Sequence, residues 1–268
     1  MESLPELAPK RRRGIYLLPN LFTTAALFSG FYAVIASISG HFVDAAIAVF
    51  AAAILDALDG RVARLTNTQS AFGVQYDSLS DMCSFGIAPA LVMYTWSLST
   101  LKAYGPLWGK IGWSAAFIYA ACAALRLARF NVQVGVADKR YFQGLASPAA
   151  AGLLMSFLWA ATKIGLDGTM VQFVTPFLTA LAGALMVSRF RYFSFKAAPK
   201  SDKVPFLAIP LFVVVIVALN VGTAVVLFLI AAAYVLSGPL LTLWGMRRVR
   251  AARGVRTDEP RNPDPPSV

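Results

Sequence analysis

Runs of about 20 mainly apolar residues recur along the whole chain, near 17–38, 42–64, 78–100, 111–130, 145–165, 169–188, 204–221 and 223–245. Each is long enough for an α-helix to cross the hydrocarbon core of a bilayer. The sequence therefore predicts an all-α fold: a polytopic transmembrane helical bundle of about eight spans. Composition agrees, because 58% of the residues are hydrophobic, 14% are charged and the mean hydropathy is +0.64, outside the range of ordinary soluble domains.

The first window is followed by further spans and lacks a small-residue cleavage site, so it reads as a retained span and not a signal peptide. Orientation follows from the basic residues. In an eight-span arrangement Lys102, Lys110 and Lys163 fall on one side and the other 21 of the 24 Lys and Arg on the opposite side. The positive-inside rule then makes both termini cytoplasmic. A net charge of +11 raises the question of nucleic acid, but the cations cluster just beyond span ends, where they meet anionic headgroups. Cys83 and Cys122 sit within or at the edge of spans without metal-ligand spacing, and read as small core residues.

The polar segments divide the chain further. A basic N-terminus covers 1–14, a basic loop 189–203, and a basic tail 247–268 ending in "RTDEPRNPDPPSV" has the Pro and charge content of a disordered segment. Outer loops are short, so function is expected within the bundle or on its cytoplasmic face. No inverted repeat of the transporter kind is visible.

Against this apolar background, "LDALDGRVARLTNTQSAFGVQYDSLSD" places Asp56, Asp59, Asp77 and Asp81 within 26 residues. At about 100° per residue, Asp56, Asp59, Gly60, Ala63 and Arg64 share one helix face, and Gly73, Asp77 and Asp81 form one stripe on the next helix. An aspartate at the centre of a membrane helix costs roughly 2.5–3.5 kcal/mol, and four together add mutual repulsion. Solvated loop aspartates paired to Arg61 and Arg64 would need neither two helical faces nor adjacent small residues. Oxygen donors without His or Cys select a hard cation, Mg²⁺, Mn²⁺ or Ca²⁺, and four carboxylates suffice for two ions of the kind that clamp a phosphoryl displacement. Gly60 and Ala63 leave room for a phosphorylated ligand, and Arg64 offers a fork for phosphate oxygen.

The pattern Asp56-x2-Asp59-Gly60-x2-Ala63-Arg64-x8-Gly73-x3-Asp77-x3-Asp81 resembles, without gap or exception, the signature of the CDP-alcohol phosphotransferases, integral membrane enzymes that move a phosphatidyl or related group from a CDP-linked donor to an alcohol. The resemblance implies a catalytic core over 15–188, of six helices, followed by a C-terminal helix pair over 204–246. It implies two divalent cations, Mg²⁺ or Mn²⁺, on Asp56, Asp59, Asp77 and Asp81, with Asp81 also the general base toward the acceptor hydroxyl. Gly60, Ala63, Arg64, Ser70 and Gly73 are implied contacts of the CDP-diacylglycerol donor. The "LPNLFT" stretch, with Pro19, Asn20 and Thr23, resembles the family's opening motif at the nucleotide end of the cleft; a Pro-Asn turn at the start of a span would account for it equally well. A homodimer in the cell's inner membrane is implied too.

Three more stretches, "YDSLSDMCSFGIAPA" (76–90), "RLARFNV" (126–132) and "FQGLASPAAAG" (142–152), resemble the branch of the family that takes L-serine as acceptor. Ala146 departs from that branch, where proline is usual. Arg126 and Arg129 are the cations available for the serine carboxylate, and spacing alone would assign them to positive-inside topology. The sole histidine, His41, lies on the outer side, which excludes a covalent histidine route and leaves direct attack on the donor phosphorus. Glycerol-3-phosphate or inositol phosphate is the runner-up acceptor, with Arg189, Arg191, Lys196, Lys200 and Lys203 as its extra phosphate site. A cation transporter, which also places aspartates on facing helices, would not require Gly60, Ala63, Arg64 and Gly73.

Overall fold

The computed structural model describes residues 17–66, 70–133, 141–193 and 222–242, with no side-chain description for residues 17–19, 133, 141–143, 191 and 193. The expected span at 204–221, the basic segments 1–14 and 247–268, and Lys196, Lys200 and Lys203 lie outside the described residues.

Helices occupy the other apolar windows. They are α1 (Leu17–Ile38), α2 (Phe42–Leu65), α3 (Ala71–Asp81), α4 (Ala88–Trp96), α5 (Pro106–Gln133), α6 (Ser147–Lys163), α7 (Thr175–Val187) and α8 (Gly222–Thr242). A π-helical turn, Met82–Ile87, joins α3 to α4, and a 3₁₀ segment, Leu98–Tyr104, leads into α5. Proline falls in the first turn of α6 and α7, where its missing N–H has no partner to lose; Pro89, at the start of α4, instead follows the π turn without a break and offers no N–H to the Phe85 carbonyl four residues back. Glycines at φ +80, Gly40 and Gly165, follow α1 and α6, the left-handed position that closes helices.

Among the described residues, four helices combine the length and apolar composition needed to cross a membrane: Asn20–Ile38, the composite Ala71–Tyr104, Pro106–Val132 and Gly222–Thr242. With Phe28, Phe31, Trp113, Phe117, Phe177 and Leu229 all more than half exposed, outward apolar surface is the rule, and the molecule is a multi-pass membrane protein. The eight-span count goes beyond this. α2 has the length but carries the aspartates, and α7, with 13 residues, reaches only about 20 Å at 1.5 Å per residue.

Small residues set the packing. Ala33, Ala36, Ala45, Ala46, Val49 and Ala52 are nearly fully buried between α1, α2 and their neighbours, and such side chains let helix backbones approach closely. α1 is tied to the α3–π segment by hydroxyls: Ser80 Oγ donates to the Thr23 carbonyl at 3.2 Å and Ser84 Oγ to the Ala26 carbonyl at 3.1 Å. Ser84 lies so close to Gly30 that a Cβ there would collide with it. The π turn leaves the regular ladder, and the buried Phe85 carbonyl accepts instead from Tyr119 Oη of α5 at 2.9 Å.

Among the described residues, two three-residue strands depart from the otherwise helical architecture. β1 (Tyr141–Gln143) pairs antiparallel with β2 (Arg191–Phe193), with Phe142 opposite Tyr192. Gly144 follows at φ +84, and a Cβ there would strike the Met186 carbonyl, so this turn requires glycine. α8 docks on the strand pair: Tyr192 Oη donates to the Val235 carbonyl at 3.2 Å, and the rings of Tyr192 and Tyr234 lie 5.6 Å apart.

Candidate active site

The aspartates arrive from two helices, α2 and α3, that both pack against α1. Ser70 starts α3 as its N-cap, its Oγ accepting from the Gly73 N–H at 3.0 Å, the usual way to satisfy a helix's first free donors. That capping bond sets the phase of α3, and one turn later Asp77 faces α2. Carboxylate oxygens of Asp56, Asp59 and Asp77 all lie within 4.8 Å of one another. Asp81, a further turn along, stands outside this trio but has Asp56 and Asp77 as charged neighbours, with Asp56 in hydrogen-bonding reach.

The surroundings fit a hard cation. Asp59 is 5% exposed, and its Oδ2 accepts from Thr23 Oγ1 at 2.7 Å. Asp77 Oδ1 is buried with no hydrogen-bond partner, an orphaned anionic oxygen aimed into a cluster of like charge. A buried carboxylate oxygen without a partner is costly, and an all-oxygen donor set is what Mg²⁺ or Mn²⁺ takes. The wall opposite is open: a Cβ on Gly60 would have nothing within 4 Å, and Arg64 is exposed on the same face.

Of the residues expected around the donor, Thr23 is buried against Asp59, and Asn20 Oδ1 lies beside Gly73 at the mouth. Gly60, Ala63 and Gly73 are half-buried around the cluster, and Ser70 spends its oxygen on capping α3. Pro19 carries no side-chain description. Thr23→Val removes the 2.7 Å bond while keeping the shape. A hydrogen bond to a charged group contributes about 1.5–3 kcal/mol, so kcat/KM should fall by roughly 10–100-fold with secondary structure by circular dichroism unchanged.

The two arginines separate. Arg126 faces Asp81, donates from Nη1 to Ser147 Oγ at 2.9 Å, and has a buried Nε without a partner. Arg129 is half-buried nearly one turn further on. The end of α5 is held to α3 by Asn131, whose Nδ2 donates to Ser78 Oγ at 3.0 Å. Ser147 and Asn131 lie in the stretches 142–152 and 126–132, where the sequence assigns neither a role. Sequence reasoning misses Tyr119 and Tyr234, both electrostatic neighbours of Arg126. Tyr234 sits in α8, far from any motif, and no local signal could have found it.

Fold and site together define a multi-pass helical membrane protein with an all-oxygen carboxylate centre at one end of its bundle. Residues 16–188 match the family model described as CDP-alcohol phosphatidyltransferase, and the chain belongs to that family, whose members generally depend on divalent cations. It is 41% identical over 183 residues to a Helicobacter pylori protein named CDP-diacylglycerol–serine O-phosphatidyltransferase, covering 68% of this chain and 74% of that one. A Mycobacterium bovis protein of the same name is 38% identical over 191 residues, 67% of this chain and 63% of that one. The archaetidylserine synthase of Methanothermobacter thermautotrophicus is 32% identical over 185 residues, 68% and 72%.

Proposed function

We propose that this chain transfers the phosphatidyl group of CDP-diacylglycerol to the hydroxyl of L-serine and releases CMP. The observation that carries the reading is the convergence of Asp56, Asp59 and Asp77 within 4.8 Å at the signature positions of the family; the names of the similar proteins support serine as the acceptor.

Asp56, Asp59, Asp77 and Asp81 would hold two divalent cations, Mg²⁺ or Mn²⁺, which when bound neutralise charge developing on the pyrophosphate. The remaining roles belong to side chains of this chain. Gly60, Ala63 and Gly73 leave the donor room against the backbone, and Asn20, Arg64 and Ser70 line its nucleotide and phosphate end. Thr23 fixes the Asp59 carboxylate. Asp81 takes the serine hydroxyl proton; the serine oxygen bonds to the diacylglycerol-linked phosphorus as the bond from that phosphorus to the CMP oxygen breaks. Arg126, rather than Arg129, holds the acceptor carboxylate, because it has Asp81 as a charged neighbour and a buried Nε without a hydrogen-bond partner.

The same reading includes eight spans, with the core over 15–188, a basic loop over 189–203, a helix pair over 204–246, and basic segments at 1–14 and 247–268. It places the active site and both termini on the cytoplasmic side of the inner membrane, and takes the assembly as a homodimer.

The test offers purified protein CDP-diacylglycerol and Mn²⁺ or Mg²⁺ with L-serine, glycerol-3-phosphate, inositol phosphate or inositol in separate reactions. CMP should appear with serine alone and vanish in Asp81→Asn. CMP with another acceptor would overturn serine while keeping the transfer chemistry, and none with any acceptor would return the protein to the transporter reading.

A further inference from the structure

At the other end of the bundle a pocket of about 460 Å³ opens between α4, the 3₁₀ segment and the first turns of α5, lined by Tyr94, Lys102, Gly105, Gly109, Lys110 and Trp113. Tyr94 lies 13 residues beyond Asp81 along the α3–α4 rod, and Lys110 lies 16 residues before Arg126 in α5. At 1.5 Å per residue these offsets put the pocket roughly 20–24 Å from the carboxylates, most of a hydrocarbon thickness away. It is therefore separate from the site above.

Its chemistry is that of an anion receptor. None of the lining residues is acidic, and neither lysine forms an ion pair among the described residues. Two lysines thus border one concavity that no acidic side chain lines. Lys102 is held in place: its Nζ stands 5.5 Å above the centre of the Tyr94 ring, a cation–π arrangement. Its stem lies on Gly109, where an added Cβ would come within 3.1 Å of Lys102 Cγ. Glycine at 109 is what lets that stem cross the first turn of α5.

The apolar side of the pocket points to lipid. Trp113 stacks on Phe117 at 5.5 Å and 2° between ring planes, and both rings are 58% exposed. They form an outward-facing ladder that descends α5 from the lysines toward mid-bundle. An anionic headgroup above with an acyl chain along the ladder matches this order of charge, aromatic and apolar surface, and aromatic residues gather at the membrane–water interface for the same reason. The three lysines assigned to this side by the sequence are Lys102, Lys110 and Lys163, and two of the three meet here.

We propose that this pocket binds the phosphodiester headgroup of an anionic phospholipid, in the leaflet opposite the catalytic centre, through Lys102 and Lys110. The expected consequence is stabilisation of the folded state by mass action.

The test measures the thermal midpoint of detergent-purified protein with added phosphatidylglycerol, with zwitterionic phosphatidylcholine, or with inorganic phosphate, for the wild type and for Lys102→Gln/Lys110→Gln. Phosphatidylglycerol near saturation should raise the wild-type midpoint by about 5 °C, phosphatidylcholine and phosphate should not, and the double variant should lose the rise while keeping the wild-type midpoint without lipid. Native mass spectrometry should show phosphatidylglycerol retained by the wild type and lost from the double variant. Both lysines are exposed, so misfolding is not expected. Should the double variant nevertheless melt early, Trp113→Ala, which removes the first rung of the acyl path and leaves both charges, should reduce retention too. An equal rise in wild type and double variant would place the lipid elsewhere, including at the catalytic centre, and overturn the proposal. So would a rise with phosphate alone, a rise with phosphatidylcholine equal to that with phosphatidylglycerol, or no rise at all.

Discussion

Asp77→Asn is expected to lower CMP release by at least about 10³-fold, the order seen when a charge-stabilising group is removed from a reaction centre, without lowering the thermal midpoint of the protein free of divalent ions. The second half distinguishes this cluster from an ordinary structural network. Asp77 Oδ1 is buried and has no hydrogen-bond partner, so an amide there gives up no bond at that atom. It also removes one negative charge from three carboxylates packed within 4.8 Å, relieving repulsion. Added Mn²⁺ should raise the wild-type midpoint, because an ion that binds only the folded state stabilises it, and the rise should disappear in Asp77→Asn. Chelation with EDTA should abolish wild-type activity, with Mn²⁺ or Mg²⁺ restoring it. If Asp77→Asn lowered the ion-free midpoint by several degrees and kept the Mn²⁺ shift, the cluster would be structural and the ion would sit elsewhere.

How much of this was visible in the chain depends on how local the cause is. The faces of α2 and α3 follow from helical periodicity, which is why Asp56, Asp59 and Asp77 could be placed together from spacing alone. Ser70, four residues before Val74 and three before Gly73, sits where an N-cap belongs, yet its family resemblance drew attention to the donor instead. The span count was less legible. The window 169–188 included residues 169–174, which form turns ahead of Pro176, and the remaining helix is only 13 residues long; hydropathy averages do not register where a helix begins. The π turn after Asp81 had one local sign, Pro89, which offers no N–H to the Phe85 carbonyl four residues back, but the hydroxyl that carbonyl accepts from, Tyr119 Oη, lies 34 positions away. The β1–β2 pairing and the docking of Tyr192 on α8 are likewise long-range, and three-residue strands leave no period to detect. They matter because they bring α8, which lies beyond residues 16–188 of the family match, to the neighbourhood of Arg126.

That neighbourhood supports the second large effect: Arg126→Gln is expected to raise the KM for serine by about 100-fold or more while leaving the KM for CDP-diacylglycerol within a factor of about three. The reasoning starts from Nε, a buried donor with no partner in the protein, while Nη1 is committed to Ser147 Oγ at 2.9 Å. A guanidinium with one edge fixed and another free presents a planar fork of the geometry a carboxylate takes. Loss of a charge-assisted bond to a substrate costs about 3 kcal/mol, which is the 100-fold quoted. Lysine should not rescue the variant, because a point charge reproduces neither the bond to Ser147 nor the fork. Ethanolamine, which is serine without its carboxylate, supplies the control. The wild type should prefer serine strongly, and Arg126→Gln should lose that preference because only the serine rate falls. A parallel fall for both acceptors would mean that Arg126 acts on Asp81 or on packing, and Arg129→Gln would then be the variant in which selective loss of serine should appear.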